Sequence, residues 1–200
     1  MFEDRYIKSQ DATDASRVAK QLRINLLDFR LSPIIDSYVN AFGNSKVRLS
    51  KIALANIKAR SRMTALYALA NQKKLLVAGT GDMSEILVGY FTKYGDGAAD
   101  LLPISHLYKT EVRALGAALR LPYRVVTKPS SPNLWPGHLA SQELPAEYDL
   151  MDRVLVKLFE QKQSVSEAAK NTGTTARVVR RVIQMNKASE HKRELPASLL

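Results

Sequence analysis

Apolar residues recur at helical spacing through most of the chain. Ala15, Val18, Ala19 and Leu22 fall at positions i, i+3, i+4 and i+7, so residues 11–22 are predicted to form a helix. The same criteria predict helices over residues 32–42, 47–71, 108–119, 146–159, 165–171 and 175–185, and a short helix from about residue 84. Proline-rich residues 127–145 are predicted to be a loop, and the single tryptophan within it indicates a loop that packs against or covers something.

Three short apolar runs predict strands, over residues 24–29, 75–78 and 101–104. Because these runs alternate with helices, the pattern predicts an α/β fold with a parallel sheet. A doubly wound sheet has about five strands, so the predicted number falls short, and the shortage is on the N-terminal side.

The composition narrows the class of protein. The 200 residues have the length of one domain and can bury a sizeable core. The chain has no cysteine, which excludes disulfides and thiolate metal sites. No run approaches the roughly 18 apolar residues of a membrane span, and the polar N-terminus is not a secretory signal, so a cytoplasmic location is expected. The net charge of +11 favours anionic partners: nucleic acid, acidic membrane or phosphate-bearing small molecules.

A glycine turn follows the predicted strand at residues 75–78. Gly79, Thr80 and Gly81 separate it from a helix, and the free N–H groups of such a helix start favour anions. Thr80 can offer its hydroxyl and N–H to a phosphate. Glu85, in the first helical turn, would repel a bare phosphate unless a divalent cation such as Mg²⁺ lies between them. Alternatively, Glu85 simply complements the helix dipole.

Two further groups of polar residues follow along the chain. Lys93, Asp96 and Asp100 lie in a glycine-rich run longer than a plain turn needs, which suits binding of a polar ligand. Lys109 begins a helix, where the dipole disfavours a cation, so its side chain is expected to reach toward a phosphate. Lys58, Arg60 and Arg62 lie mid-helix; they either extend to solvent or serve the same anion.

Residues 164–185 have the pattern of a helix-turn-helix. Two short helices meet at Gly173, and Arg177, Arg180 and Arg181 lie on the second. With the basic net charge, this pattern offers an alternative: a nucleic-acid-binding protein.

A resemblance to a known family favours the enzyme. The run GTGDMSEILVGYFTKYGDGAADLLPISHLYKTEV, with NIKARSRMTALYALAN before it and EHKRELP after it, resembles ammonia-dependent NAD synthetases. The resemblance implies one domain over residues 1–200 with a Rossmann-like parallel sheet flanked by helices (adenine-nucleotide alpha-hydrolase-like), a helical C-terminal portion over residues 146–200, and a homodimer. It also implies amidation of deamido-NAD with ATP and ammonia, through an adenylated nicotinate carboxylate, and it disfavours nucleic acid as a partner.

The resemblance also implies residue roles. Thr80, Lys109 and Ser131 would bind ATP, Glu85 would hold Mg²⁺, and Asp96 would position or deprotonate ammonia, while Arg60, Lys93, Asp100, His191 and Lys192 would bind deamido-NAD. Two features depart from the family pattern. Ala98 stands where a second glycine is usual, and no Ser-Gly-Gly-x-Asp-Ser pyrophosphate loop occurs in the 200 residues. The N-terminal strands are therefore expected to be missing, and this 200-residue form is expected to lack a competent active site.

Overall fold

The structure is a computed structural model that describes residues 2–3, 9–196 and 198. Its described residues form nine α-helices: α1 (Ser9–Leu22), α2 (Ser32–Asn44), α3 (Lys51–Lys73), α4 (Met83–Val88), α5 (Lys109–Ala118), α6 (Tyr123–Thr127), α7 (Tyr148–Leu155), α8 (Val165–Thr172) and α9 (Ala176–Ala188). A π-helical turn, Val156–Glu160, continues α7, and 3₁₀ turns lie at Ala140–Gln142 and Glu190–Lys192. The predicted helices are confirmed, and the five-residue α6 is an addition to them.

Side-chain caps explain where several helices begin. The Ser50 hydroxyl accepts a hydrogen bond from Ala53 N at 3.2 Å at the start of α3. Asp82 begins α4 in the same way, because its Oδ1 accepts from Glu85 N at 2.9 Å. The left-handed backbone of Gly89 ends α4, and a Cβ there would lie 2.0 Å from Ser189 Cβ. Glycine at this position therefore allows the C-terminal segment to approach α4 closely.

The strand predictions fare less well. Strands β1 (Phe2–Glu3) and β2 (Phe29–Arg30) pair in parallel, with Phe2 opposite Phe29. The strand predicted over residues 24–29 is wrong except for its last residue, because residues 24–28 have no strand pairing. The other two predicted strands meet at a single parallel bridge, between Ala78 and Leu101. Within residues 2–3, 9–196 and 198, this pairing does not extend into a continuous Rossmann-like sheet.

The residues before the Ala78–Leu101 bridge lack the neighbours that a buried parallel strand needs. Leu75 and Leu76 are 60% and 72% exposed, and no strand in the described part of the chain lies on their other side. A buried parallel strand needs neighbours and covering layers on both faces. The apolar run at residues 75–78 predicts a buried strand, but the described part of the chain leaves Leu75 and Leu76 exposed.

The apolar core lies in the C-terminal half and centres on α7. Met151, Val154 and Leu155 are fully buried, and they belong to one cluster with Val88, Tyr108, Ala140, Leu144, Tyr148, Ala168, Ala169, Val179 and Val182. The predicted helix-turn-helix over residues 164–185 exists as α8 and α9, and it contributes Ala168, Val179 and Val182 to that core. Its three arginines, Arg177, Arg180 and Arg181, face solvent.

The N-terminal half leaves much apolar surface exposed. Ile34, Tyr38, Val39 and Phe42 of α2 are at least 36% exposed, and Ile52 of α3 is 68% exposed. None of the described helices is both long enough and apolar enough to cross a membrane.

Candidate active site

Two neighbouring cavities lie between α3, α4, α5 and the 127–145 loop. The larger has a volume of ≈ 510 Å³ and the smaller ≈ 370 Å³. Tyr90, Asp96 and Pro132 line both, so these three residues form a wall common to the two cavities. The two cavities are therefore adjacent at these three residues.

Glu85 of α4 and Lys109 of α5 line the smaller cavity and form an ionic cluster with Asp82, the N-cap residue of α4. Lys109 Nζ lies 2.7 Å from Glu85 Oε1 and 2.5 Å from Asp82 Oδ2. Asp82 is fully buried, and no donor in the described structure meets its Oδ2 with hydrogen-bond geometry. Arg113, Lys128 and Ser131 also line this cavity. Three cations beside two carboxylates suit a phosphate chain with a divalent metal.

Burial and the neighbouring charges together shift the pKa values of Glu85 and Lys109. Burial, and then the charge of Asp82, raises the pKa of Glu85 despite the nearby ammonium of Lys109. Burial acts to lower the pKa of Lys109, but the carboxylates of Glu85 and Asp82 outweigh it and raise that pKa. Lys109 is therefore a permanent cation at neutral pH.

A buried polar network fixes Lys109 relative to Glu85. Ser84, fully buried, donates to Asp152 Oδ1 at 2.6 Å and accepts from Lys109 N at 2.9 Å. The other oxygen of Asp152 accepts from Thr110 N at 2.8 Å. Ser84 and Asp152, the latter from α7, thus accept from the first two N–H groups of α5, so these two donors are already paired. A phosphate contact at this position would therefore be made by the Lys109 side chain, as the sequence predicts.

The larger cavity is mainly apolar, with a few polar groups. Thr80, Asp96 and Lys192 line it. Lys192 Nζ donates to Gly89 O and Phe91 O, each at 2.7 Å. Burial lowers the pKa of Lys192, opposed by the charge of Asp96. Thr80 therefore lies in the other cavity from Lys109 and Ser131, with which the sequence grouped it.

The remaining predicted residues lie beside the cavities and contact one another. Arg60 Nη2 donates to Lys93 O at 3.3 Å, and Lys93 Nζ donates to His191 O. Asp100 Oδ2 accepts from Val77 N at 2.7 Å, which fastens the two strand segments. Arg60, Lys93, Asp100 and His191 line neither cavity.

Two predicted residues have specific loop contacts. Asp96 Oδ1 accepts from Thr92 N at 2.9 Å, which holds the carboxylate at the common wall. Ser131 Oγ accepts from Asn133 N at 3.1 Å and donates to His138 O. Both side chains therefore already have protein partners.

The 127–145 loop is ordered over the larger cavity, as the tryptophan indicated. Trp135 stacks on His138 with ring centroids 3.5 Å apart, and the Lys51 ammonium lies 4.0 Å from the Trp135 ring centroid. Lys58 is 1% exposed and donates to Leu134 O at 3.0 Å. Lys58 thus anchors the loop, and the interpretation that it extends to solvent is wrong.

Several site residues were missed by sequence reasoning. Asp82 had a local signal, because Asp82 and Glu85 form a capping box across the start of α4. Tyr148 and Asp152 had none, since only the packing of α7 on α4 and α5 brings Tyr148 to the smaller cavity and Asp152 to Ser84 and Thr110. Arg113 lies on α5, one turn after Lys109.

The residues present fit a magnesium ion that also binds phosphate. Among the described residues, no three acidic or histidine side chains gather as a metal cage. Mg²⁺ commonly takes one or two carboxylates and completes its shell with substrate phosphates and water. Asp82 and Glu85, both paired with Lys109 in this structure, provide such a pair of carboxylates.

Solved structures define the class of fold. The structure superimposes on NMN synthetase from Francisella tularensis with a TM-score of 0.85 and 29% identity, covering 100% of this chain and 76% of that one. NH3-dependent NAD synthetase from Campylobacter jejuni has a TM-score of 0.77 at 24% identity, again covering 100% and 76%, which supports the fold alone. The fold is that of the NAD synthetases, which is adenine-nucleotide alpha-hydrolase-like.

The family follows from the sequence matches. The NAD synthase profile matches residues 2–196, and the chain belongs to that family. It is 50% identical over 187 residues to an NH(3)-dependent NAD(+) synthetase of Hyperthermus butylicus, covering 94% of this chain and 67% of the relative. With the Saccharolobus solfataricus enzyme of the same name it shares 49% over 162 residues, covering 81% and 58%. The resemblance and the ligase class are confirmed, and the nucleic-acid-binding alternative is not supported.

Proposed function

We propose that the chain provides the active site for the ATP-dependent amidation of deamido-NAD with ammonia, which forms NAD, AMP and pyrophosphate. The observation that carries the proposal is the pair of cavities with one common wall, in a chain whose relatives are named NH(3)-dependent NAD(+) synthetase. The cation-rich smaller cavity suits the triphosphate, and the larger, mainly apolar cavity suits the dinucleotide. The reacting carboxylate and the α-phosphate would meet at Tyr90, Asp96 and Pro132.

The chemistry has two balanced steps. A nicotinate carboxylate oxygen attacks the α-phosphorus of ATP, and pyrophosphate leaves. Ammonia then attacks the carboxyl carbon, AMP leaves with that oxygen, and a proton is released. Placing two anions in line removes much of the entropic barrier, and fixed cations stabilise the charge that develops on the phosphates.

The ATP roles proposed for Lys109, Ser131 and Thr80 differ in their support. Lys109, a buried cation in the smaller cavity, has the strongest, because it can exchange its carboxylate partners for phosphate oxygens. Ser131 lines the same cavity, whereas Thr80 faces the larger one. Glu85, with Asp82 beside it, would hold Mg²⁺, which when bound neutralises phosphate charge.

Deamido-NAD would contact the larger cavity and the residues beside it. Lys192 lines the cavity, and Arg60, Lys93 and His191 form a linked group next to it. Asp100 would act from the strand segment that it fastens. Asp96, held at the common wall, would position ammonia or accept its proton.

The larger assembly is also part of the proposal. Residues 1–200 would form one domain, with residues 146–200 as its helical portion, and the parallel pairings seen here would be the edge of a Rossmann-like sheet. The exposed apolar side chains of α2 and α3 support a homodimer. The expected location is the cytoplasm.

The test compares this chain with a chimaera that adds the parts of the Hyperthermus butylicus relative outside the aligned residues. Each is given deamido-NAD, ATP, Mg²⁺ and ammonium, and NAD is measured by chromatography. We expect NAD from the chimaera. A folded chimaera that makes no NAD would contradict the proposal.

The closeness of fold to an enzyme named NMN synthetase supports a second candidate substrate, nicotinate mononucleotide. The same chimaera, given that mononucleotide, would then form NMN. The ratio of kcat/KM for the two substrates decides between them, and we expect it to favour deamido-NAD, since the relatives with 49–50% identity carry that activity in their names.

A further inference from the structure

Tyr148 is the one buried tyrosine of the smaller cavity whose hydroxyl has no protein partner in the described structure. Its side chain is 2% exposed and packs in the apolar core, yet it lines the cavity beside Glu85, Lys109 and Arg113. The hydroxyl oxygen is buried, and it neither donates a hydrogen bond to a described residue nor accepts one from a described residue. A buried hydroxyl without a partner destabilises a fold by roughly 1–3 kcal/mol, so the presence of the Tyr148 hydroxyl at this position needs an explanation.

Two other tyrosines show how such a hydroxyl is normally satisfied. Tyr108 donates to Glu160 Oε1 at 2.7 Å, and Tyr90 donates to Glu143 Oε2 at 2.7 Å. Both partners are carboxylates supplied by the fold. Replacing Tyr148 by Phe would preserve its packing and remove the unsatisfied group, so core packing alone does not require the oxygen.

The surroundings of Tyr148 favour an anionic partner. Lys109 Nζ lies 5.3 Å and Arg113 Cζ 5.9 Å from the ring centroid. Burial, and then the charges of Glu85 and Asp82, raises the pKa of Tyr148, so the hydroxyl keeps its proton at neutral pH. A protonated hydroxyl on a ring with two cations nearby can donate a hydrogen bond to the kind of oxygen that those cations attract.

We infer that the Tyr148 hydroxyl is a ligand-binding group, which donates a hydrogen bond to a phosphate oxygen of ATP or of the pyrophosphate it releases. This inference rests on the proposed function for its ligand. No described residue meets this hydroxyl with hydrogen-bond geometry, and a bound phosphate chain would supply its acceptor. Its unpaired state favours the bound form, because the ligand removes a cost that the free protein bears.

The experiment measures binding and stability together in Tyr148→Phe. Calorimetric titration with Mg²⁺ plus ATP, and with Mg²⁺ plus pyrophosphate, is expected to show affinities lowered about 10- to 100-fold, as for loss of a hydrogen bond to a charged acceptor. The unfolding temperature is expected to stay the same or rise, since an unpaired buried group is removed.

The matched control is Tyr108→Phe, which removes a buried hydroxyl that has a partner. It is expected to lower the unfolding temperature by a few degrees and to leave both affinities unchanged. The two substitutions thus predict opposite patterns from the same chemical change.

Three results would overturn the inference. One is unchanged affinity for both phosphates in Tyr148→Phe. Another is a loss of stability like that of Tyr108→Phe, which would show that the hydroxyl has a structural partner such as buried water. The third is a parent chain that binds neither ligand. NAD formation by the chimaera tests the proposed function separately, so each can fail while the other stands.

Discussion

The two halves of the molecule use the same helical pattern with different results. In the C-terminal half, α7, α8 and α9 bury Met151, Val154, Val179 and Val182 completely. In the N-terminal half, α2 and α3 are regular helices, yet several of their large apolar residues stay exposed, as Ile52 does at 68%. Periodicity therefore determines whether a helix forms, and the availability of a partner determines whether its apolar face is buried.

The difference bears on the site. The ionic cluster of Glu85 and Lys109 lies against the packed half, tied to α7 through Asp152. The larger cavity is bounded on one side by α3, whose outer face is exposed. We expect the phosphate side of the site to be rigid by itself and the dinucleotide side to depend on what covers α2 and α3.

The largest expected effect is on the packed half itself. Met151→Ala should lower the free energy of unfolding by about 2–5 kcal/mol, because it leaves a cavity in a fully buried position. Ile52→Ala, at an exposed position of α3 that lines the larger cavity, should change it by about 0.5 kcal/mol or less. Urea unfolding measures both. Equal losses at the two positions would remove the contrast between the halves.

Lys109→Met tests the phosphate side. The substitution removes a buried cation from the smaller cavity, and kcat/KM for ATP in the chimaera should fall roughly 10²- to 10³-fold. Lys187→Met, on the exposed side of α9, is the control and should leave it unchanged. A Lys109 variant with normal ATP kinetics would show that the ionic cluster has only a structural role.

A pair of substitutions on α2 tests the proposed use of the exposed half. Tyr38→Asp with Phe42→Asp puts two charges on its exposed apolar face. We expect the homodimer to dissociate, seen as a halved mass by light scattering or sedimentation. If the mass is unchanged and equals that of a dimer, the dimer uses another surface.

The smallest effect concerns the protonation of Glu85. Its pKa is raised above 4.5, mainly by burial, so the folded protein binds this proton more tightly than the unfolded chain. The resulting stability is present below pH 4.5 and is lost as the pH rises through the folded pKa. Glu85→Gln cannot ionise and therefore does not lose this stability at neutral pH. The free energy of unfolding of the variant at pH 7 should equal or exceed that of the parent, and the difference should shrink toward pH 4.

Glu167→Gln is the control of opposite sign. The hydrogen bonds from Ser164 lower the pKa of Glu167, so its stabilising effect is present above its unfolded pKa and is lost in acid. This variant should be less stable than the parent at pH 7. Urea unfolding at pH 4 and 7 measures both variants, and a Glu85 variant that loses stability at pH 7 would contradict the assignment.

The sequence could predict what depends on near neighbours along the chain. The stripe of Ala15 to Leu22 and the caps Ser50 and Asp82 are local, and their helices appear in the structure. The strand at residues 24–28 failed, because pairing depends on segments far away in the chain.

Site residues divide along the same line. Glu85 and Lys109 belong to contiguous motifs, and the structure brings their charges within 2.7 Å. Asp152 and Tyr148 reach the same place only through the packing of α7. Thr80 is the opposite case: it is close to Glu85 in the sequence, yet it lines the larger cavity, whereas Glu85 and Lys109 line the smaller one.

The central claim is that the nicotinate carboxylate is adenylated where the two cavities meet. The most direct measurement gives the chimaera deamido-NAD with ¹⁸O in both carboxylate oxygens and follows the label by mass spectrometry. Adenylation followed by attack of ammonia places one ¹⁸O in the AMP phosphate and leaves the other in the amide of NAD. AMP without label, or label in free phosphate, would contradict the account.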